Sequence, residues 1–180
     1  MSQPNTESAP ATRWLTVRGQ SSVTTELSSS VHPIHATSTE VEGSLEGVLD
    51  WEGRPELGAP HGARLRLKVE SLQSGSRIQD AEMWRRMDTR RNPDIEVIVG
   101  RVWERDGGGY RAAFEVRAHG VTRPYEGDFE LNVAPDGRVT VDGEHAFDMR
   151  DFNVSPPRFL TLKVDPEVKI RVHIVGQKEA

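Results

Sequence analysis

His145 is the residue whose setting in the sequence most invites chemistry. It shares the period-two phase of Val139, Val141, Gly143 and Phe147, so its ring points with apolar side chains. A polar ring on a dry face can bond a ligand carbonyl or a diphosphate oxygen, or can simply be held by a neighbour. Arg123 and Arg150 sit near strand ends, where guanidinium groups can meet an anionic head group or remain solvated and salt-bridged. His32-Pro-Ile-His35 has two imidazoles, but proline between them and the lack of a nearby third ligand favour a plain loop over a metal site. Serine, histidine and aspartate are all present without a Gly-x-Ser-x-Gly elbow. Asp106-Gly-Gly-Gly109 has no following lysine and helix, so it reads as a hairpin turn and not a phosphate loop. The absence of cysteine removes thiol nucleophiles, disulfides and cysteine-based metal sites. The sequence therefore assigns no catalytic residue, no metal ligand and no cofactor.

The elements that must position these side chains are strands. The 180-residue chain has 19 Val against 11 Leu and 6 Ile, with 16 Gly and 11 Pro spread along it. Alternation recurs over Val23–Ser29, Val41–Leu49, Leu65–Val69, Ile95–Val99, Tyr110–Ala118, Phe129–Val133, Val139–Phe147 and Val168–Ile174. Turn chemistry separates these runs at 106–109, 122–124 and 134–137. One segment breaks the period. Ile78, Ala81, Met83, Trp84 and Met87 recur at helical spacing, with Ser76 as N-cap and Pro93 beyond the end, which predicts a short helix over 77–88. Met83 and Trp84 would plug one barrel end. About eight antiparallel strands with one helical insertion favour an up-and-down barrel, all-β, wide enough inside for one small ligand. Residues 1–11 read as a disordered tail, 12–176 as one domain and 177–180 as a C-terminal tail.

A formal net charge of −5 argues against a nucleic-acid partner. No apolar run approaches the length of a transmembrane helix, and the N-terminus lacks the basic and apolar regions of a signal peptide, so a cytoplasmic location is expected.

Four stretches resemble the YceI-like family. Val69-Glu-Ser-Leu-Gln-Ser-Gly75 followed by Asp80 is similar to the family's strand, Ser-Leu-x-Thr-Gly and helical aspartate. Asp88-Thr-Arg-Arg-Asn-Pro93-Asp-Ile95 resembles its Asp, then Pro-x-Ile entering a strand. His119-Gly-Val-Thr-Arg123 matches its His-Gly-Val-Thr-Lys/Arg turn, and Met149-Arg-Asp-Phe-Asn-Val154 its Arg-x-Asp-Phe-Gly-Val. Trp14 and Ser22-Val23 also fit. The chain departs from the pattern at Gln79, where arginine is usual, at Ser74 for threonine, at Val97 for phenylalanine, and in the tighter spacing of Arg150 to Asp151.

The resemblance implies an extended lipocalin-like antiparallel barrel that holds a polyisoprenoid or an isoprenoid quinone for storage, transport or sequestration, without catalysis, and a homodimer. The tunnel would be lined by Leu67, Val97, Ala112, Phe114, Val116, Phe129, Leu131, Val141, His145, Phe147, Ile170 and Val172, with Arg123 and Arg150 at its mouth. Small residues on the dry faces (Gly43, Gly47, Ala112, Ala118, Gly143) would leave it room, or mark bends needed for closure. The residues alone leave two other functions open: a solid barrel that binds protein on its surface, or an enzyme working in the cavity.

Overall fold

The computed structural model describes residues 10–159 and 162–180; the part of the expected N-terminal tail before residue 10 lies outside it. In chain order the elements are β1 (Thr12–Thr16), β2 (Ser22–Ser29), β3 (Ile34–Ser38), β4 (Glu42–Gly47), β5 (Gly62–Lys68), α1 (Arg77–Met87), β6 (Asp94–Glu104), β7 (Tyr110–Ala118), β8 (Val121–Val133), β9 (Val139–Asp148), β10 (Arg158–Phe159) and β11 (Leu162–Lys178). Strands β4 to β9 follow one another as an antiparallel meander, then β11 and β1 complete the ring, with β1 pairing both β11 and β4. The result is a closed eight-stranded barrel. The up-and-down expectation describes its long wall, but the ends are wired differently. The long β11 also carries the β2–β3 hairpin, through pairs such as Ile170 with Thr25 and Val172 with Val23. Gln177 and Lys178 pair with Leu15 and Trp14, so the expected C-terminal tail from 177 is in part ladder.

Met83 of α1 packs against the core cluster that joins Ala36 of β3 to Leu67 of β5. The helix N-terminus forms as the sequence predicts: the Ser76 hydroxyl accepts from the Gln79 amide. Asp88 ends the helix in the left-handed conformation at φ 48°. The apolar stripe, however, is only in part the buried face. Ile78 is 76% exposed and Ala81 is exposed, whereas Asp80 is buried and Met83 and Met87 turn inward. Three- and four-residue spacing identified the helix and the inward Met83 and Met87 but misplaced Ile78 and Ala81, on a first turn where Asp80 is drawn in by an amide: its Oδ1 accepts from Ser74 N at 2.8 Å. Among the described residues no helix is long and apolar enough to cross a membrane.

The stretches that carry the family resemblance fasten one end of this barrel. At the β7–β8 turn, His119 and Gly120 both take positive φ, the requirement of a two-residue hairpin loop of type I′. The His119 imidazole and the Phe152 carbonyl lie 2.8 Å apart, so Nδ1–H donates there. Arg123 Nε donates to the Asp151 carbonyl at 2.9 Å. The 3₁₀ turn Met149–Phe152 is thereby tied to the hairpin, and its Met149, Phe152 and Val154 form a buried cluster with Val116 and Ala118. Likewise the Val69 amide donates to Pro93 O and the Thr89 hydroxyl to Glu70, joining the segments on either side of α1.

Candidate functional site

Inward-facing side chains surround a cavity of about 450 Å³ whose lining is almost entirely apolar. That volume is in the range of small-molecule sites, about 300–1,000 Å³. Its length follows from the residues at its extremes. One end is formed by Trp14, Val48, Val139 and Ile174, the other by Met83, Met87, Phe152 and Val154, so it runs along the barrel.

Alternation supplies the lining. Leu67 of β5, Val97 of β6, Ala112, Phe114 and Val116 of β7, Phe129 and Leu131 of β8, Val141, His145 and Phe147 of β9, and Ile170 and Val172 of β11 all line the cavity. Arg123 and Arg150 do not. Arg123 lies on the outside against the 3₁₀ turn. Arg150 folds back two residues onto Asp148, donating from Nη2 to Oδ2 at 2.6 Å, and these hydrogen bonds hold the Asp148 carboxyl down at about 2. Position near a strand end misled here because both strand ends fold under the turn instead of framing an opening.

Several lining residues escaped the sequence reading. Val102 lines the cavity although it is out of phase with Val97 and Val99. A bulge between Val99 and Arg101 shifts the register and turns Val102 inward. The bulge is secured by His61, whose Nε2 accepts the Val102 amide at 3.1 Å while Nδ1 faces the Ala59 carbonyl at 2.9 Å. Ile34 and Ala36 of β3 alternate with His35 and Thr37 and belonged to the same pattern. Pro55 and Leu57 come from the β4–β5 connection and carry no periodic signal; Leu49, the last residue of the Val41–Leu49 alternation, lines the cavity beside them.

The small residues divide. Gly47, Ala112, Ala118 and Gly143 line the cavity. Gly43 instead permits close approach of strands: at φ 148° a Cβ there would lie 2.0 Å from the Arg64 carbonyl oxygen. The far end is packed solid. A Cβ on Gly176 would meet Val139 Cγ2 at 2.8 Å and Trp14 Cβ at 3.0 Å, and Trp14 is anchored by Nε1–H donating to Gly137 O at 3.0 Å.

His145 is a polar residue set among aromatic rings in these walls. Its ring centroid is 4.6 Å from Phe147, 5.5 Å from Tyr125 and 5.7 Å from Phe114. Burial pushes its imidazole below its ordinary value, and the Arg111 charge adds to this while Asp128 opposes it. Tyr125 closes the aromatic group from the β8 side. Its hydroxyl donates to Asp151 Oδ2 at 3.1 Å, and burial, then that bond, push its phenol up to about 12. These rings stand where the β8–β9 ladder has ended: its pairing runs only from Val133–Val139 to Phe129–Gly143. A neutral, half-buried imidazole can accept or donate one hydrogen bond to a polar group lodged in the cavity.

Residues 14–176 match the family model described as YceI-like domain. Among solved structures the chain is similar to Burkholderia cenocepacia BcnA, at 16% identity and TM-score 0.76, covering 90% of this chain and 99% of that one. A polyisoprenoid binding domain from Saccharophagus degradans, implicated in plant cell wall breakdown, is similar at 12% identity and TM-score 0.73, with 92% and 98% covered. The Campylobacter jejuni YceI protein follows at 11% identity and TM-score 0.60, with 78% and 82% covered. No curated protein matches the chain in sequence.

Proposed function

The chain belongs to the YceI-like family, and from that premise we propose that its barrel binds a long apolar lipid, a polyisoprenoid or the tail of an isoprenoid quinone, for storage or transport and without chemical change to it. The observation that carries this reading is the apolar cavity of about 450 Å³ running along the barrel. The polyisoprenoid-binding title of one structural neighbour supports the choice of ligand. So does the chemistry of the wall. A long hydrocarbon asks for a dry bore of small and branched side chains, which β7, β9 and β11 supply, and not for a reactive constellation.

Magnitudes favour a long chain over a short one. Each methylene removed from water contributes about 0.8 kcal/mol. A ten-carbon tail thus gains about 8 kcal/mol, which the roughly 4–15 kcal/mol cost of association largely cancels. A twenty-carbon tail gains about 16 kcal/mol, which exceeds the whole of that range. His145 would then meet whatever polar group the ligand carries within the bore.

Native mass spectrometry of freshly purified protein, followed by solvent extraction, tests the proposal. A co-purified or readily reloaded polyprenyl lipid supports it. A protein that emerges empty and takes up no such lipid from detergent contradicts it.

A further inference from the structure

The outer face of α1 does not resemble the rest of this acidic chain. Between residues 74 and 92 five arginines (77, 85, 86, 90 and 91) stand against three carboxylates (Asp80, Glu82 and Asp88). Burial sharpens the imbalance, because two of the three carboxylates are turned in, Asp88 staying 38% exposed beside Arg91, and most of the arginines are turned out. Asp80 is 9% exposed and the Glu82 side chain 17%, whereas the Arg85 and Arg91 side chains are 68% and 86% exposed. Arg77 and Arg90 are exposed as well, and among the described residues neither has a carboxylate within 4.0 Å. Ile78, 76% exposed, projects from the same helix.

The neighbouring segments continue this face. Arg86 Nη1 donates to the Ser155 carbonyl at 3.1 Å, tying α1 to the segment that leads to Arg158. Arg158 pairs with Lys163, and the Ser30 amide donates to the Lys163 carbonyl at 2.9 Å, which brings in Val31, 73% exposed. Gln79, Met83, Arg86 and Pro157 line the cavity, so α1 and the segment leading to Arg158 both stand at its wall.

We propose that this face, α1 with the β2–β3 turn and the strand residues Arg158 and Lys163, docks the barrel on an anionic membrane surface, where the tunnel exchanges its lipid. The inference rests on the lipid-binding reading above: a ligand too apolar for water must be handed over at a bilayer. Charge complementarity identifies the partner. Clustered basic side chains are attracted to the negative surface of a bilayer, and aliphatic side chains among them enter the head-group boundary. The same helix lines the bore with Met83 and Met87 and faces the bilayer with Arg77 and Ile78, with Arg90 in the turn just beyond its end, so docking sets the tunnel end against the lipid.

Sedimentation with sealed vesicles of phosphatidylcholine, with and without phosphatidylglycerol, tests this on the full chain. The protein is expected to bind the anionic vesicles and not the neutral ones, and to be released by salt. Arg77→Gln with Arg90→Gln, both at exposed positions that leave the fold intact, is expected to weaken binding roughly 25-fold. Ile78→Ser should weaken it further. Equal partition onto both vesicles, or an unchanged double variant, overturns the proposal. Arginine-dependent binding to soluble polyglutamate without vesicle binding also overturns it, and assigns the face to an acidic protein. Tunnel loading is followed separately, by mass, from detergent with no bilayer present. Loading without vesicle binding removes the docking face and leaves the tunnel reading standing; vesicle binding without loading supports the face and removes the tunnel reading.

Discussion

Adding bulk inside the barrel should have opposite consequences at its two kinds of interior position. Ala112 is 4% exposed, opposite Val102 and Gly127, and lines the cavity. Ala112→Trp places an indole in open apolar space, so it displaces no wall atom and buries its own surface. Gly176 is the control: a Cβ added there would meet Val139 at 2.8 Å, Trp14 at 3.0 Å and Leu45 at 3.2 Å. Gly176→Val therefore overpacks a filled end and should cost about 1–3 kcal/mol. In a chain of this size that lowers the melting temperature by roughly 2–12 °C. The assay is differential scanning calorimetry of both variants after delipidation, with lipid uptake measured on the same preparations. Ala112→Trp should keep the wild-type melting temperature and lose uptake; Gly176→Val should lose stability and, where folded, keep uptake. The reasoning is refuted if Ala112→Trp melts as low as Gly176→Val while still loading lipid.

Protonation of His145 supplies a second expectation. Its folded-state value is depressed by burial, so the unfolded chain binds the proton more readily and stability falls as pH drops below the ordinary histidine value of 6.5. Urea titrations at pH 7.5 and pH 5.5 should show a decline that His145→Gln reduces; an identical decline in the variant contradicts the assignment. The chain's two tyrosines, Tyr110 and Tyr125, are both raised above 10.0, Tyr125 to about 12, so ultraviolet titration at pH 10 should find neither half-ionised until the protein unfolds. Gly43→Ala would set its Cβ 2.0 Å from the Arg64 carbonyl oxygen, so β4 must separate from β5, with a loss of several kcal/mol seen as a large drop in denaturant midpoint. His61→Ala leaves the Val102 amide at the β6 bulge without its acceptor and should cost about 1–3 kcal/mol, together with faster amide exchange at Val102.

Strand after strand was legible because half-buried antiparallel walls alternate strictly, and β7 and β9 place Ala112, Phe114, Val141 and His145 where period two requires. The pattern failed where geometry departs from that period. Val102 became a lining residue only through a one-residue bulge, and a bulge has no signature in hydrophobicity. The helix was located by spacing and cap, but its first turn is set by Asp80 and the Ser74 amide, a single hydrogen bond that no apolar count contains. Arg123 and Arg150 were placed by their distance from strand ends; the backbone carbonyl of Asp151 and the carboxylate of Asp148 that hold them are local contacts outside any periodic pattern. The His119-Gly120 and Asn153 turns show the converse. The stretches that carry the family resemblance are here a type I′ hairpin and a left-handed turn bonded to each other.

Isothermal titration of the delipidated protein with polyprenyl chains of increasing length, presented from one detergent at several temperatures, tests the tunnel most directly. The account predicts affinity that rises with each isoprene unit until the bore is filled, with a negative heat-capacity change that grows in step. Affinity and heat capacity independent of chain length would contradict it, because a ligand held outside the bore buries the same surface whatever the length of its tail.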